Sequence, residues 1–234
     1  MEKTLSLSPR LCQGFDAVVI LDTETTGLSF RQDHILELAA LRLEGQDGQL
    51  HCTGEMDDLI RLPPGQQVPP FIAGLTGITD DQLSREGVAA EESCRRFASL
   101  LEGEKLLIAA YNAHFDLSFL FYFLQPFGQA RLLRKAKFLD LLTVYRDRRD
   151  YPHKLCNAIE AYGLQNAVNS HRAVDDARAA AGLLDAMAAE RDDLADYVDL
   201  FGTHPKYGLS GRPIASVTYR SQPYQRGEPL YARV

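Results

Sequence analysis

The chain contains no tryptophan, and its 234 residues include only three methionines and four cysteines. Cys12, Cys52, Cys94 and Cys156 lie far apart with no C-x-x-C spacing. That pattern excludes a zinc knuckle and argues against a disulfide framework, so free thiols in a reducing cytoplasm are expected. Long apolar runs are also missing. The longest, residues 106–111 and 117–124, fall far short of the roughly 20 residues a membrane-spanning helix needs. The opening Met-Glu-Lys-Thr-Leu-Ser-Leu-Ser-Pro-Arg has neither an apolar core nor a small-residue cleavage site, so no export signal is predicted. Basic residues are in deficit: 25 Lys+Arg face 32 Asp+Glu, a formal net charge of −7. Such a balance speaks against gripping long duplexes through phosphate contacts alone.

What is present fits a folded α/β chain. Hydrophobic residues make up 45% of the sequence and Phe and Tyr are plentiful, which excludes disorder over most of its length. The apolar run 17–22 ends in a carboxylate and reads as a strand buried on both faces. Residues 34–43 and 49–61 predict two further strands separated by the turn-like stretch 44–48, and Pro63, Pro64, Pro69 and Pro70 predict a loop. Helices are expected over 88–102, 116–127, 154–162 and 173–191, with strands at 106–111 and 138–142. Strands first and strand–helix alternation later suggest a mixed sheet flanked by helices.

Acidic residues mark the ends of these elements. Asp22 and Glu24 close the first strand, where a period of two points both to one side. Two carboxylates held together repel unless a cation lies between them; capping of the following turn is the simpler role open to Asp22. Asp116 opens an aromatic helix, where an N-cap would also account for it. Asp176 shares a helix face with Ala180, Leu183 and Met187, a costly place for a carboxylate without a partner or a metal. Asp175 is turned away from that face, and His171 precedes the helix. Together these residues describe a cation-binding cluster beside a titrating base. Oxygen ligands select hard cations such as Mg²⁺ or Mn²⁺. Two such ions about 3.5–4 Å apart suit in-line displacement at a phosphodiester.

Leu-Asp22-Thr-Glu24-Thr-Thr-Gly, Asn112-Ala-His-Phe-Asp116 and His171-Arg-Ala-Val-Asp-Asp176 resemble the three motifs of the DEDDh 3′–5′ exonucleases. This is the superfamily of the proofreading epsilon subunit of bacterial DNA polymerase III and of ribonuclease T. The similarity runs from about residue 16 to 190; Tyr111 departs from it, standing where His is common. The resemblance implies a ribonuclease H-like α/β fold with a central mixed five-stranded sheet whose second strand is antiparallel. It also implies that Asp22, Glu24, Asp116 and Asp176 hold two divalent cations, with Asp22 bridging, and that His171 deprotonates the attacking water. Thr25 and Leu28 are implied near the terminal nucleotide, Leu28 as a wedge between the last two bases. The implied substrate is a single-stranded nucleic acid 3′ end, DNA being favoured, and association with a DNA polymerase fits the same kinship. An exoribonuclease or oligoribonucleotide phosphodiesterase remains open, as does a non-catalytic binding module of the same fold.

Two basic districts break the acidic background. Residues 131–149 hold seven basic residues against two acids, and are expected either to border the substrate path or to form a solvated helix face. Residues 1–201 are expected to be the exonuclease domain. Residues 202–234 form a Tyr- and Pro-rich extension with five basic residues and one acid, expected to pack on that domain; disorder or substrate contact are its alternatives.

Overall fold

The computed structural model describes residues 9–46, 49–164, 167, 170–209 and 211–233. Residues 1–8 of the opening segment, Asp47 and Gly48 of the expected turn and the Cys12 side chain lie outside the described residues. The described chain runs α1 (Pro9–Gly14), β1 (Ala17–Thr25), β2 (Ile35–Gln46), β3 (Gln49–Leu59), α2 (Pro70–Thr76), α3 (Asp80–Glu86) and α4 (Ala90–Leu100). Then come β4 (Leu106–Ala110), α5 (Ala113–Leu124), β5 (Lys137–Asp140), α6 (Leu141–Arg148), α7 (Leu155–Ala161) and α8 (Ala173–Glu190). Two short strands, β6 (Leu200–Thr203) and β7 (Thr218–Ser221), follow.

The main sheet has five strands in the order β3-β2-β1-β4-β5. Strand β2 is antiparallel to both β1 and β3, whereas β1, β4 and β5 are mutually parallel. This is the mixed five-stranded sheet flanked by helices that the resemblance implies. The parallel centre explains why β1 and β4 read as unbroken apolar runs: both of their faces are covered. Val18 and Ile20 join the core formed with α6, α7 and α8, while Ala17, Val19 and Leu21 join the core formed with α4 and α5.

Several boundaries differ from expectation, each for a local reason. The expected strand 138–142 stops at Asp140, whose carboxylate accepts the N–H groups of Leu142 and Thr143 (both 3.2 Å) and so caps α6. Pro70, read as loop, is the first residue of α2, where its missing N–H has no helical partner to lose. The helix expected from Asp116 begins three residues earlier at Ala113; its cap is Asn112, so Asp116 is not an N-cap. The basic stretch also needs correcting. Arg148 is buried, donating to the Met187 carbonyl (2.6 Å), to Glu190 (3.2 Å) and, by a short bond, to Asp193. Arg149 pairs with Glu190 (2.8 Å) and lies 4.7 Å over the Tyr162 ring. These two arginines are internal ties rather than a solvated face.

The last strands run beside the main sheet. The Phe138 N–H donates to the Asp199 carboxylate (2.9 Å), and the Gly202 N–H donates to the Thr143 hydroxyl (2.9 Å). Strand β6 therefore runs alongside β5 in the same direction, and β7 pairs parallel to β6. Beyond β7, the Gln222 side chain donates to the Thr143 carbonyl (2.9 Å) and to Asp147 (2.6 Å), and Leu230 is buried.

Candidate active site

The candidate catalytic residues gather at the carboxyl ends of β1 and β4, the edge of a parallel sheet where ligands usually bind. Strand parity does the first sorting. Asp22 and Glu24 continue the Val18–Ile20 face and point toward α8, while Thr23 points toward α5. The Thr23 hydroxyl donates to Asp116 Oδ1 across 2.7 Å, which ties the carboxylate on α5 to β1. Asp140 steadies the same helix by accepting the Ala113 N–H at 3.1 Å.

On the α8 side, one oxygen each of Glu24 and Asp176 and one ring nitrogen of His171 all lie within 4.8 Å of one another. Ligands on opposite sides of one hard cation, each roughly 2.0–2.6 Å from it, would be about that far apart. His171 and Asn112 both adopt left-handed backbone, with φ of 56° and 68°. Each such non-glycine conformation costs of order 1 kcal/mol or more and persists only where its surroundings impose it. Among the described residues, two of the three non-glycine residues with positive φ thus stand in the motifs.

Next to the His171 bend stands Glu37 on β2, which lies opposite Glu24 in the sheet register and is fully buried. Its carboxylate accepts the Arg172 Nε at 2.9 and 3.1 Å, an Arg172 Nη2 hydrogen, and the Ala173 N–H at 2.8 Å. One buried acid therefore holds the first turn of α8, and with it His171 and Asp176. Sequence reasoning missed Glu37. Its signal is a lone carboxylate inside Ile-Leu-Glu-Leu-Ala-Ala-Leu, flanked by residues that bury on both faces.

The cluster is electrostatically frustrated. Burial, then Asp176 and Glu37, push the Glu24 carboxyl up to about 8, with Arg172 the cation opposing them. Burial pushes Asp116 up to about 7 against the pull of the Thr23 hydroxyl. Asp22 is raised well above the carboxylate range by burial, then by Asp116, Asp176 and Glu24 in that order. Asp57 on β3 is raised to about 6 by burial and by Glu37. A set of oxygen donors that raise one another and have one arginine nearby fits divalent cations of the hard class.

The loop after β1 is held by Asp33, which accepts the Ser29 N–H (2.8 Å) and the Thr26 hydroxyl (3.2 Å). A Cβ at Gly27 would come 2.5 Å from that carboxylate, so a side chain there would displace Asp33. The Thr25 hydroxyl donates to the Gly27 carbonyl (2.6 Å). Leu28 projects from the loop with 85% of its surface exposed.

The model of the exonuclease family matches residues 19–184, more than two thirds of the chain. This chain belongs to the exonuclease family. Within that family it falls in the DEDD-type 3′–5′ superfamily. The exonuclease domain is 33% identical over 166 residues to the PolC-type DNA polymerase III of Thermotoga petrophila, covering 70% of this chain and 11% of that protein. It is 32% identical over 175 residues to the same enzyme of Bacillus subtilis, covering 72% and 11%. The chain thus spans about a tenth of the length of these relatives. In fold it resembles E. coli exonuclease I solved with a dA16 oligonucleotide, with a TM-score of 0.66 at 20% identity, over 78% of this chain and 42% of that one. The family match stops before β6, so β6, β7 and the segments around them lie beyond it.

Proposed function

We propose that the chain is a metal-dependent 3′–5′ exonuclease that removes nucleoside 5′-monophosphates from single-stranded nucleic acid ends, DNA being favoured. The observation that carries this reading is the convergence of Glu24, His171 and Asp176 on one small volume, with Asp22 and Asp116 pressing on the same charge balance. In this reading Asp22, Glu24, Asp116 and Asp176 hold two divalent cations, Mg²⁺ or Mn²⁺. Cations bound there would supply Lewis acidity, acidifying a water and neutralising charge on the leaving oxygen.

The chain's own groups do the rest. His171 takes the proton of the attacking water, a task suited to a side chain that ordinarily titrates between pH 5 and 8. Water oxygen joins the terminal phosphorus, the bond from phosphorus to the neighbouring 3′-oxygen breaks, and that oxygen takes a proton from solvent as it leaves. The Thr25–Leu28 backbone meets the terminal 3′-hydroxyl, and Leu28 inserts beside the last base.

Support for DNA comes from the exonuclease I complexes with dA16 and dT13 and from the PolC-type relatives, which also make a DNA polymerase the candidate partner. The free thiols Cys52, Cys94 and Cys156 suit a reducing cytoplasm. Among the described residues no helix is long and apolar enough to cross a membrane. The deciding experiment incubates one end-labelled DNA oligomer and one RNA oligomer with the protein and Mg²⁺ or Mn²⁺. Stepwise shortening of DNA from the 3′ end is expected. Preferential shortening of RNA would move the assignment to an exoribonuclease, and no hydrolysis of either would leave a binding module.

A further inference from the structure

The rings outside the carboxylate cluster form a connected row. It starts at Tyr111, the residue before Asn112, and passes to Tyr145 (centroids 6.5 Å apart) and His153 (5.5 Å). From there it reaches Tyr224 (5.7 Å), His204 (4.4 Å) and Tyr207 (4.7 Å, stacked at 28°), with Tyr151 joining beside Tyr224 at 5.6 Å. Strand β6 runs alongside β5 and β7 pairs parallel to β6, so His204 and Tyr224, which follow them, stand at the same end of the strands as Asp22 and Glu24. The inner rings are packed, but the far end is open: Tyr151 is 69% and Tyr207 70% exposed.

Cations sit on this row. The Arg146 guanidinium lies 5.3 Å over the Tyr224 ring and the Lys206 ammonium 5.2 Å over Tyr207. Neither has an ion-pair partner among the described residues, in contrast to Arg148 and Arg149 nearby. Strand β7 and the segment before it lie against the first turn of α5 and the loop after β1. The Tyr219 hydroxyl lies 3.1 Å from His114 Nδ1, and a Cβ at Gly211 (φ 122°) would come 2.8 Å from the Phe30 ring and 3.3 Å from His114. One chain segment thus meets both the loop after β1 and the first turn of α5.

We propose that Tyr151, His204, Tyr207 and Tyr224, with Arg146 and Lys206, form a stacking platform for the single strand that leads into the carboxylate site. This rests on the exonuclease reading and extends it to the part of the strand 5′ of the scissile bond. Cations with no ion-pair partner among the described residues, lying on a row of rings that ends in the exposed Tyr151 and Tyr207, suit a ligand that alternates phosphates with flat bases, and stacking on rings is tolerant of base identity. Continuity with Tyr111, at the start of the helix that bears Asp116, sets the direction: a strand lying on the rings ends at the cluster.

The test measures binding of a fluorescein-labelled dT12 and of a labelled dT dinucleotide by anisotropy, in EDTA so that nothing is cleaved. In the double variant Tyr151→Ala/Tyr207→Ala the dT12 affinity is expected to fall by about tenfold or more, with the dinucleotide far less affected. Tyr207→Phe should keep wild-type affinity for dT12, since it keeps the ring. Lys206→Ala should reduce the salt slope of dT12 binding by about 0.7. Unchanged dT12 affinity in the double variant overturns the proposal; it is also the result expected if the rings take a protein instead. Equal losses for both ligands with a lowered melting temperature would overturn it too, by making the tyrosines structural. Wild-type protein that binds dT12 through these rings but hydrolyses neither DNA nor RNA with Mg²⁺ or Mn²⁺ would sink the exonuclease reading and leave the platform standing.

Discussion

Replacing Glu24 by Gln should stabilise the metal-free protein at alkaline pH and leave it unchanged in acid. Glu24 titrates at about 8 in the fold against an ordinary 4.5, so the folded state holds a proton that the unfolded chain releases. For an acid raised in this way, stability is full below the unfolded value and is lost as pH climbs toward the folded one. Each tenfold difference in proton affinity is about 1.36 kcal/mol, which gives about 4 kcal/mol by pH 8. The neighbouring acids share the same frustration and the Glu24 side chain reaches solvent, so about 2–3 kcal/mol is the expected gain from the amide. For a chain of this size that is roughly 4–12 °C in melting temperature. Differential scanning fluorimetry of both proteins in EDTA, from pH 4.5 to 8, isolates the Glu24 contribution because every other group is common to the two. The difference should be near zero at pH 4.5 and grow steadily toward pH 8. Added Mn²⁺ should raise the wild type more than the variant, reversing the order. A Glu24→Gln variant that is no more stable at pH 8, or a gain that does not depend on pH, would refute the frustrated cluster.

Asp22→Ala and Asp176→Ala should each abolish hydrolysis while keeping the circular dichroism spectrum and cooperative melting; activity surviving in EDTA would remove the cations from the mechanism. His171→Ala should slow turnover by about 10²–10⁴-fold with Mn²⁺ affinity nearly intact in calorimetry, whereas lost binding would make His171 a ligand. Glu37→Gln leaves Arg172 facing a neutral amide in a buried place and should cost roughly 3 kcal/mol in a denaturant titration, with kcat falling more than KM rises; unchanged kcat would mean that Glu37 does not position His171. Deleting 202–234 removes the partners of Thr143 and Asp147 and should lower the melting temperature by several degrees.

Much of this arrangement was legible before any coordinates. The apolar runs of β1 and β4 announce strands covered on both faces, and the parity of Asp22 and Glu24 follows from a period of two without further information. The α8 helix is read with its buried stripe because Ala180, Leu183 and Met187 repeat at helical spacing. What stayed hidden depends on partners distant in sequence. Glu37 looks like one more residue of an alternating strand until Arg172, 135 positions on, is placed beside it. Arg148 reads as part of a solvated basic face, yet its charge is met by Glu190 and Asp193. Asp140 passes for a mid-strand acid because the cap it forms lies beyond the apolar run that suggested the strand. β6 and the pairing of β7 were missed for a different reason. β6 is four residues long and gains its place from its bond to Thr143 on α6, not from a pattern of its own, whereas β7 falls in the alternating stretch 215–220, which does read as extended, but its pairing with β6 is not legible there.

Gln222 bonds to Thr143 across 79 positions and to Asp147 across 75. The Gln222 bond to Thr143 is to its carbonyl; the Thr143 hydroxyl donates to Asp140, and Asp140 holds the first turn of α5. Translation proceeds from the amino end, and contacts between distant segments form late. All four motif carboxylates therefore emerge from the ribosome well before the glutamine that buttresses α6 from outside. A polypeptide interrupted short of β7 would carry the acids of a nuclease without this last brace or the ring of Tyr224, so the order of synthesis withholds both until residue 224 has been made.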